Sequence, residues 1–276
     1  MTRIVTAALT ATALLAVSPL SSQAADLAPV PRAPAFTWTG WYVGINAGYA
    51  WGDSTVSTCV NDGGAFFLAI ERRSICASHS NRGLDPNAFT GGVQAGYLWQ
   101  SPGQWFLGGA MVFGIEADIN SFRMRDSTTV GPVVITPPPA AVVAHTVTQN
   151  METNWLFTLR PRIGAAFSNW LVYATGGLAV TDLESHFVYS HTQFLTGSAS
   201  GQAGHWVAGW TLGGGLEWAI LPNWTVRAEY LYVRFDSVSG TSTNLSVLGV
   251  SVPSEVFFHN ADLTANIVRG AVNFRF

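Results

Sequence analysis

The chain has no lysine: all 13 basic residues are arginine, and charged residues make up only 11% of its 276 positions. A formal charge of −3 with so few cations excludes the basic footprint that nucleic-acid binding requires. Cysteine is limited to Cys59 and Cys76, so a four-thiolate metal site cannot be built. Beyond the amino terminus, no uninterrupted apolar run reaches the roughly 20 residues of a spanning helix. The chain also lacks a His-Glu-x-x-His helix, a Cys-x-x-Cys pair, a phosphate-cradling glycine loop and a Gly-x-Ser-x-Gly elbow. Together these absences leave nothing that recommends a soluble enzyme.

What the chain does have is apolar and aromatic: 48% of its residues are hydrophobic, with 11 Trp and 16 Phe. Residues 1–24 carry one early charge (Arg3), an apolar stretch from Ile4 to Val17 and a small-x-small site at Ser22-Gln-Ala24, the pattern of a cleaved secretory signal peptide. Its removal would move the formal charge to −4. Residues 25–35, rich in Pro and Ala, read as a short periplasmic leader. No linker interrupts residues 36–276, which read as one domain. An exported chain this apolar, without a helical span, is either a large β-sandwich or a membrane barrel.

Period-2 alternation marks eight segments, at 41–51, 89–100, 105–121, 154–167, 170–180, 206–220, 224–235 and 263–276. The connections 101–104, 168–169 and 221–223 are tight turns. Those at 52–88, 122–153, 181–205 and 236–262 are long, so long and short strictly alternate. This predicts an all-β, eight-stranded antiparallel transmembrane β-barrel with short periplasmic turns, four long extracellular loops and both termini periplasmic. The last strand ends on Phe274-Arg-Phe276. Phe274 and Phe276 there read as a barrel-assembly signal, addressed to the machinery that inserts outer-membrane barrels.

Facing follows from the alternation. In the first strand Trp41, Val43, Ile45, Ala47, Tyr49 and Trp51 share the face expected toward lipid, and Tyr42, Gly44, Asn46, Gly48 and Ala50 the face expected toward the lumen. Trp41, Trp99, Trp105, Phe167, Trp170, Trp218, Trp224 and Phe276 cluster beside the short turns, where amphipathic rings would form an interfacial girdle. In a soluble sandwich the same rings would be ordinary core aromatics. Glu116, Asp118, Arg160, Arg162, Glu217, Arg227, Glu229, Arg269 and Arg275 all fall on the lumen side. An interior of eight strands is only wide enough for side chains, so these groups should pair as Arg-carboxylate bonds, a bidentate geometry that lysine could not supply. Two other uses stay open for them: lining a narrow ion pathway, and catalysis.

Cys59 and Cys76 lie in the first long connection. In an oxidising compartment a disulfide is their default; the alternative, a metal site, would have His79 as its sole third ligand. The six histidines, His79, His145, His186, His191, His205 and His259, all fall in or beside long connections. They are candidate hemin or metal contacts, imidazole being a common ligand, or simply the polar residues of surface loops. Ser185-His186 and Ser190-His191, with Glu184 nearby, are the closest approach to a catalytic dyad. Neighbours on a strand point to opposite faces, which makes both poor ones.

A resemblance now gathers these pieces. Trp41-Tyr-Val-Gly-Ile-Asn-Ala-Gly-Tyr49, Gly91-Gly-Val-Gln-Ala-Gly-Tyr97, Gly114-Ile-Glu-Ala-Asp118, Leu159-Arg-Pro-Arg-Ile-Gly164, Tyr173-Ala-Thr-Gly-Gly-Leu178, Gly209-Trp-Thr-Leu-Gly-Gly-Gly-Leu-Glu217, Arg227-Ala-Glu-Tyr-Leu-Tyr232 and the closing Phe276 resemble the small outer-membrane β-barrel proteins of alphaproteobacteria, also called porin-family or outer-membrane surface-antigen proteins. The resemblance implies an outer-membrane barrel in contact with lipid and lipopolysaccharide, with roles in surface antigenicity, envelope integrity and, in some relatives, hemin binding. It names no catalytic residue and no obligatory cofactor. The resulting expectation is a structural, surface-exposed envelope protein that associates weakly with itself or not at all and conducts little or nothing. A hemin-binding surface protein or a narrow ion pore is the alternative. The sequence departs from the family pattern at Pro161, where a bulge is expected, and in its long first and second loops.

Overall fold

The computed structural model describes residues 36–64, 66–104, 108–136, 143–192 and 196–276. The expected signal peptide, the leader and Trp105 lie outside the described residues. In chain order the elements are β1 (Gly40–Val60), α1 (Ala69–His79), β2 (Arg82–Leu84), β3 (Asn87–Gln100), β4 (Ala110–Phe122), β5 (Arg125–Ile135), β6 (Val143–Glu152), β7 (Trp155–Phe167), β8 (Trp170–Asp182), β9 (Glu184–Thr192), β10 (Gly197–Ala203), β11 (Trp206–Leu221), β12 (Trp224–Phe235), β13 (Val238–Ser242), β14 (Ser246–Val247), β15 (Val250–Ser251), β16 (Phe257–Ala261) and β17 (Thr264–Arg275).

Eight of these strands close an antiparallel barrel. β1 pairs with β3, β3 with β4, β4 with β7, β7 with β8, β8 with β11, β11 with β12, β12 with β17, and β17 returns to β1. Closure leaves the barrel no open sheet edge, so its strands satisfy their backbone groups by pairing with neighbours on both sides. The alternation separates the faces as the pleat requires. Trp41, Val43, Ile45, Val93, Ile115, Ile163, Leu212 and Val268 are exposed outward, while Tyr42, Asn46, Gln94, Glu116, Arg162, Glu217 and Arg269 are buried inward. Among the girdle rings, Trp41 is 63% and Phe276 73% exposed, and Trp170 stacks on Trp218 with ring centres 5.2 Å apart.

Three sequence expectations are corrected. The strand expected from residue 105 is described only from Ala110, residues 105–107 lying outside the described residues and 108 forming a turn. Pro161 produces no bulge. Leu159 stands opposite Leu178 and Arg162 opposite Thr175 in one unbroken register, and the ladder merely lapses between them, opposite Gly176 and Gly177. The hydroxyl of Thr175 donates to the Pro161 carbonyl at 2.9 Å across this gap. Finally, among the described residues the four long connections form a second tier rich in β structure rather than plain loops. β1 continues as far as Val60, where it pairs with β16 and, lower down, with β2. β5, β6, β9 and β10 pair in sequence, and β13 pairs with β16.

The two tiers join at breaks in the strands at 123–124, 153–154, 183, 204–205, 236–237 and 262–263. α1 lies in the outer tier. Its N-terminus is tied by the Glu71 carboxylate, which accepts from the Leu68 N–H at 2.6 Å, the return half of a capping box. Arg72, Ile75 and His79, at helical spacing, form its buried stripe. Cys76 on this helix is disulfide-bonded to Cys59 on β1. Glu255 fastens the approach to the helix from inside, accepting from the N–H groups of Phe66 and Phe67 at 2.5 and 3.2 Å, with Arg72 3.7 Å away.

Candidate functional site

Small residues on the inward face give the lumen its contents. Gly96 lies opposite Tyr42 and Gly215 opposite Tyr173, and a Cβ on either glycine would stand 2.5 Å from the tyrosine hydroxyl. Lacking that carbon, each glycine lets a phenol lie flat against the wall and reach the centre of the barrel.

There, four carboxylates meet four guanidinium groups, all almost completely buried. Arg160 contacts Glu116 at 2.6 Å, Asp118 at 2.7 Å and Glu229 at 3.2 Å. Arg227 reaches Glu116 at 2.6 Å, and Arg162 reaches Glu217 at 2.9 Å and Glu116 at 3.4 Å. Arg269 contacts Glu229 at 2.6 Å and Asp118 at 3.1 Å. Neutral groups take up the remaining lone pairs. Tyr42 donates to Glu116 at 2.5 Å and Tyr173 to Glu229 at 2.7 Å. Thr158 donates to Asp118 at 2.7 Å and Thr225 to Glu217 at 2.6 Å. Asn273 donates to Glu217 at 3.1 Å and accepts from Gln94 at 2.5 Å. The Arg162 guanidinium lies 3.7 Å over the Tyr173 ring, a cation-π contact. Four charges of each sign balance, which is what makes so dense a buried network tolerable.

Arg275, grouped with these residues by its facing, stands apart. It makes no ion pair with them, lies 5.4 Å from the Trp38 ring and 5.5 Å from that of Phe36, and donates to the Thr37 carbonyl at 3.4 Å. It sits beyond the last charged pair, in the aromatic layer near the short turns. That layer contains Trp38, Leu98, Val112, Ala166 and Leu171. On the other side of the network Phe122, Met124, Leu156, Leu183, Leu231, Val233, Phe235, Leu263 and Ile267 form a second apolar layer at the junction of the two tiers. The ionic layer is thus enclosed between two apolar ones.

The six histidines do not gather into one common site. His79, His145, His191 and His259 turn into the outer tier, where they are at most 5% exposed, whereas His186 is half-buried and His205 exposed at the surface. Burial lowers the pKa of His79 to about 4, helped by His145 and Arg82 nearby; that of His145 to about 4, helped by His191; and that of His259 to about 4. His259 is held by Thr58 at 3.1 Å and Ser242 at 3.2 Å, and stacks on Phe187 with ring centres 3.5 Å apart. His186 lies 3.5 Å from Glu184, and with Glu152 these form a half-buried trio of candidate metal donors on adjacent strands. Ser185 is buried while His186 faces out; Ser190 faces out while His191 is buried. Neither pair can act as a dyad. At the carboxyl end Phe274 packs edge-on against Phe276, 5.3 Å away, and against Trp224, 5.1 Å away.

Reading charge and facing alone misses the two tyrosines and the Thr158, Thr225 and Asn273 side chains. A glycine opposite each inward tyrosine was the available signal, but it becomes one only once the register is known.

The outer membrane protein beta-barrel domain family matches residues 10–276. The chain is 32% identical to the 31 kDa outer-membrane immunogenic protein of Brucella melitensis, over 98% of this chain and 96% of that protein. It is 25% identical to the 22 kDa outer membrane protein of Rhizobium leguminosarum, over 75% of this chain and 69% of that one. Among solved structures it is similar to the outer membrane protein OprG of Pseudomonas aeruginosa, at 11% identity over 86% of this chain and 97% of that one, with a TM-score of 0.41. That last likeness is too distant to bear on function. A closed barrel with an apolar outer wall and a family match across nearly its whole length make this chain an outer-membrane protein, a member of the outer membrane protein beta-barrel family.

Proposed function

We propose that this chain is a non-conducting, non-enzymatic structural barrel that contributes to envelope integrity and displays its outer tier at the cell surface, with both termini and the short turns in the periplasm. The single observation carrying this reading is the lumen: a neutral lattice of eight buried charges between two apolar layers. An ion would have to break pairs that hold one another and then cross apolar layers at both ends, without the hydration that a wide porin supplies. The outward apolar band fits direct contact with lipid and lipopolysaccharide. A hemin role gains no support from the histidines, four of which are buried.

Planar-bilayer recording on the refolded protein tests the reading. No discrete current steps are expected. Steps whose size changes with Arg160→Gln or Glu229→Gln would make it a narrow pore instead. Orientation is tested by cleavage on intact cells, which should nick the outer tier and spare the short turns. A deletion strain should be sensitive to detergent, and unchanged sensitivity would remove the envelope role.

A further inference from the structure

His79 is brought inward by the buried stripe of α1, and its ring lies 5.2 Å from that of His145 on β6, edge to face. His145 stands directly opposite His191 in the β6–β9 ladder, a spacing of about 5 Å between Cβ atoms. Both ring nitrogens of His79 and Nε2 of His145 are buried with no hydrogen-bond partner, at 0% and 1% residue exposure. Buried polar atoms are nearly always satisfied, so three orphaned nitrogens on two touching rings call for an occupant. Their spacing is that of ordinary ring packing and also fits a shared ion. Two imidazoles on one tetrahedral ion, with metal–nitrogen bonds of about 2.1 Å, hold their ring centres about 5 Å apart. All the donors are imidazole nitrogens, which suit zinc, copper or nickel and not the oxygen-seeking calcium or magnesium. Arg82, the cation beside His79, is turned away onto the Ser78 carbonyl, to which its Nε donates at 2.7 Å.

We propose that His79 and His145 form a buried two-imidazole site for a borderline transition-metal dication such as zinc, which pins α1 to the β6–β9 ribbon inside the outer tier. The site is distinct from the surface trio of Glu152, Glu184 and His186, whose donors are mostly carboxylates. Cys59 and Cys76 are joined to each other and take no part.

The test is a calorimetric titration of the refolded, oxidised protein with Zn2+, supplied both during and after refolding. A parallel Co2+ titration reads ligand geometry from the visible spectrum. One saturable site with a tetrahedral Co2+ spectrum is expected. His79→Gln and His145→Gln should each weaken it at least about tenfold, while His186→Gln leaves it unchanged. Should the inner variants fold poorly, as a missing heat-shifted gel band would reveal, the wild-type Co2+ spectrum still decides. An octahedral, oxygen-type spectrum, or no saturable binding, overturns the site and leaves water as the occupant. Loss of binding with His186→Gln overturns it in favour of the surface trio.

Discussion

Arg160 is the residue on which the lumen turns, since its guanidinium touches three of the four buried carboxylates. Arg160→Met would leave Glu116, Asp118 and Glu229 short of a partner in a site that water does not reach. The expected cost is about 3–5 kcal/mol, measured by urea unfolding in lipid vesicles. Arg160→Met combined with Asp118→Leu should recover part of it, because the cost lies in the unpaired charge rather than in lost attraction. His259 carries a different liability. Its pKa is lowered to about 4 in the folded tier, against about 6.5 when exposed. Between those values the unfolded segment binds a proton that the folded one refuses, so stability is complete above about pH 6.5 and lost as the pH falls toward 4. Hydrogen exchange in β13 and β16 should quicken over that window, and His259→Phe should flatten the response.

At the scale of elements, the outer tier and the barrel are held by different means. Barrel strands are locked by a closed ladder, whereas α1 is held by one disulfide, its three inward side chains and Glu255. Cys59→Ser should therefore loosen α1 and its approach, costing up to about 3 kcal/mol of local stability, and leave the barrel intact. Amide exchange that rises in α1 while β7, β8 and β11 stay protected is the result to look for. The strands of this tier were hard to read from sequence. The inward face of β6 carries Val143, His145, Val147, Gln149 and Met151, and its outward face Ala144, Thr146, Thr148, Asn150 and Glu152. A ribbon with water outside and a mixed interior inside needs no apolar contrast between its faces, so the period-2 signal fades. In the membrane-spanning strands lipid imposes that contrast, and there the strand positions were legible to within a few residues, apart from β1, which runs on to Val60 in the outer tier, and the start of β4, described only from Ala110.

For the whole molecule, closure is the property that matters. A ring of eight paired strands should resist detergent until heated, so the refolded protein should run as a compact band that shifts on boiling and show a β-type circular dichroism spectrum. A band that does not shift would contradict the closed barrel.

The sequence by itself determined the class of fold, the number of membrane strands, which face meets lipid and which charged residues turn inward, because each follows from a local period repeated along the chain. Only the tertiary structure decided how those inward groups combine. It set Arg275 apart from the other four arginines, brought Tyr42 and Tyr173 across to the carboxylates over Gly96 and Gly215, and placed His79 against His145. These are contacts between strands and a helix far apart in sequence, and their partners are chosen by register and closure, which no local pattern encodes.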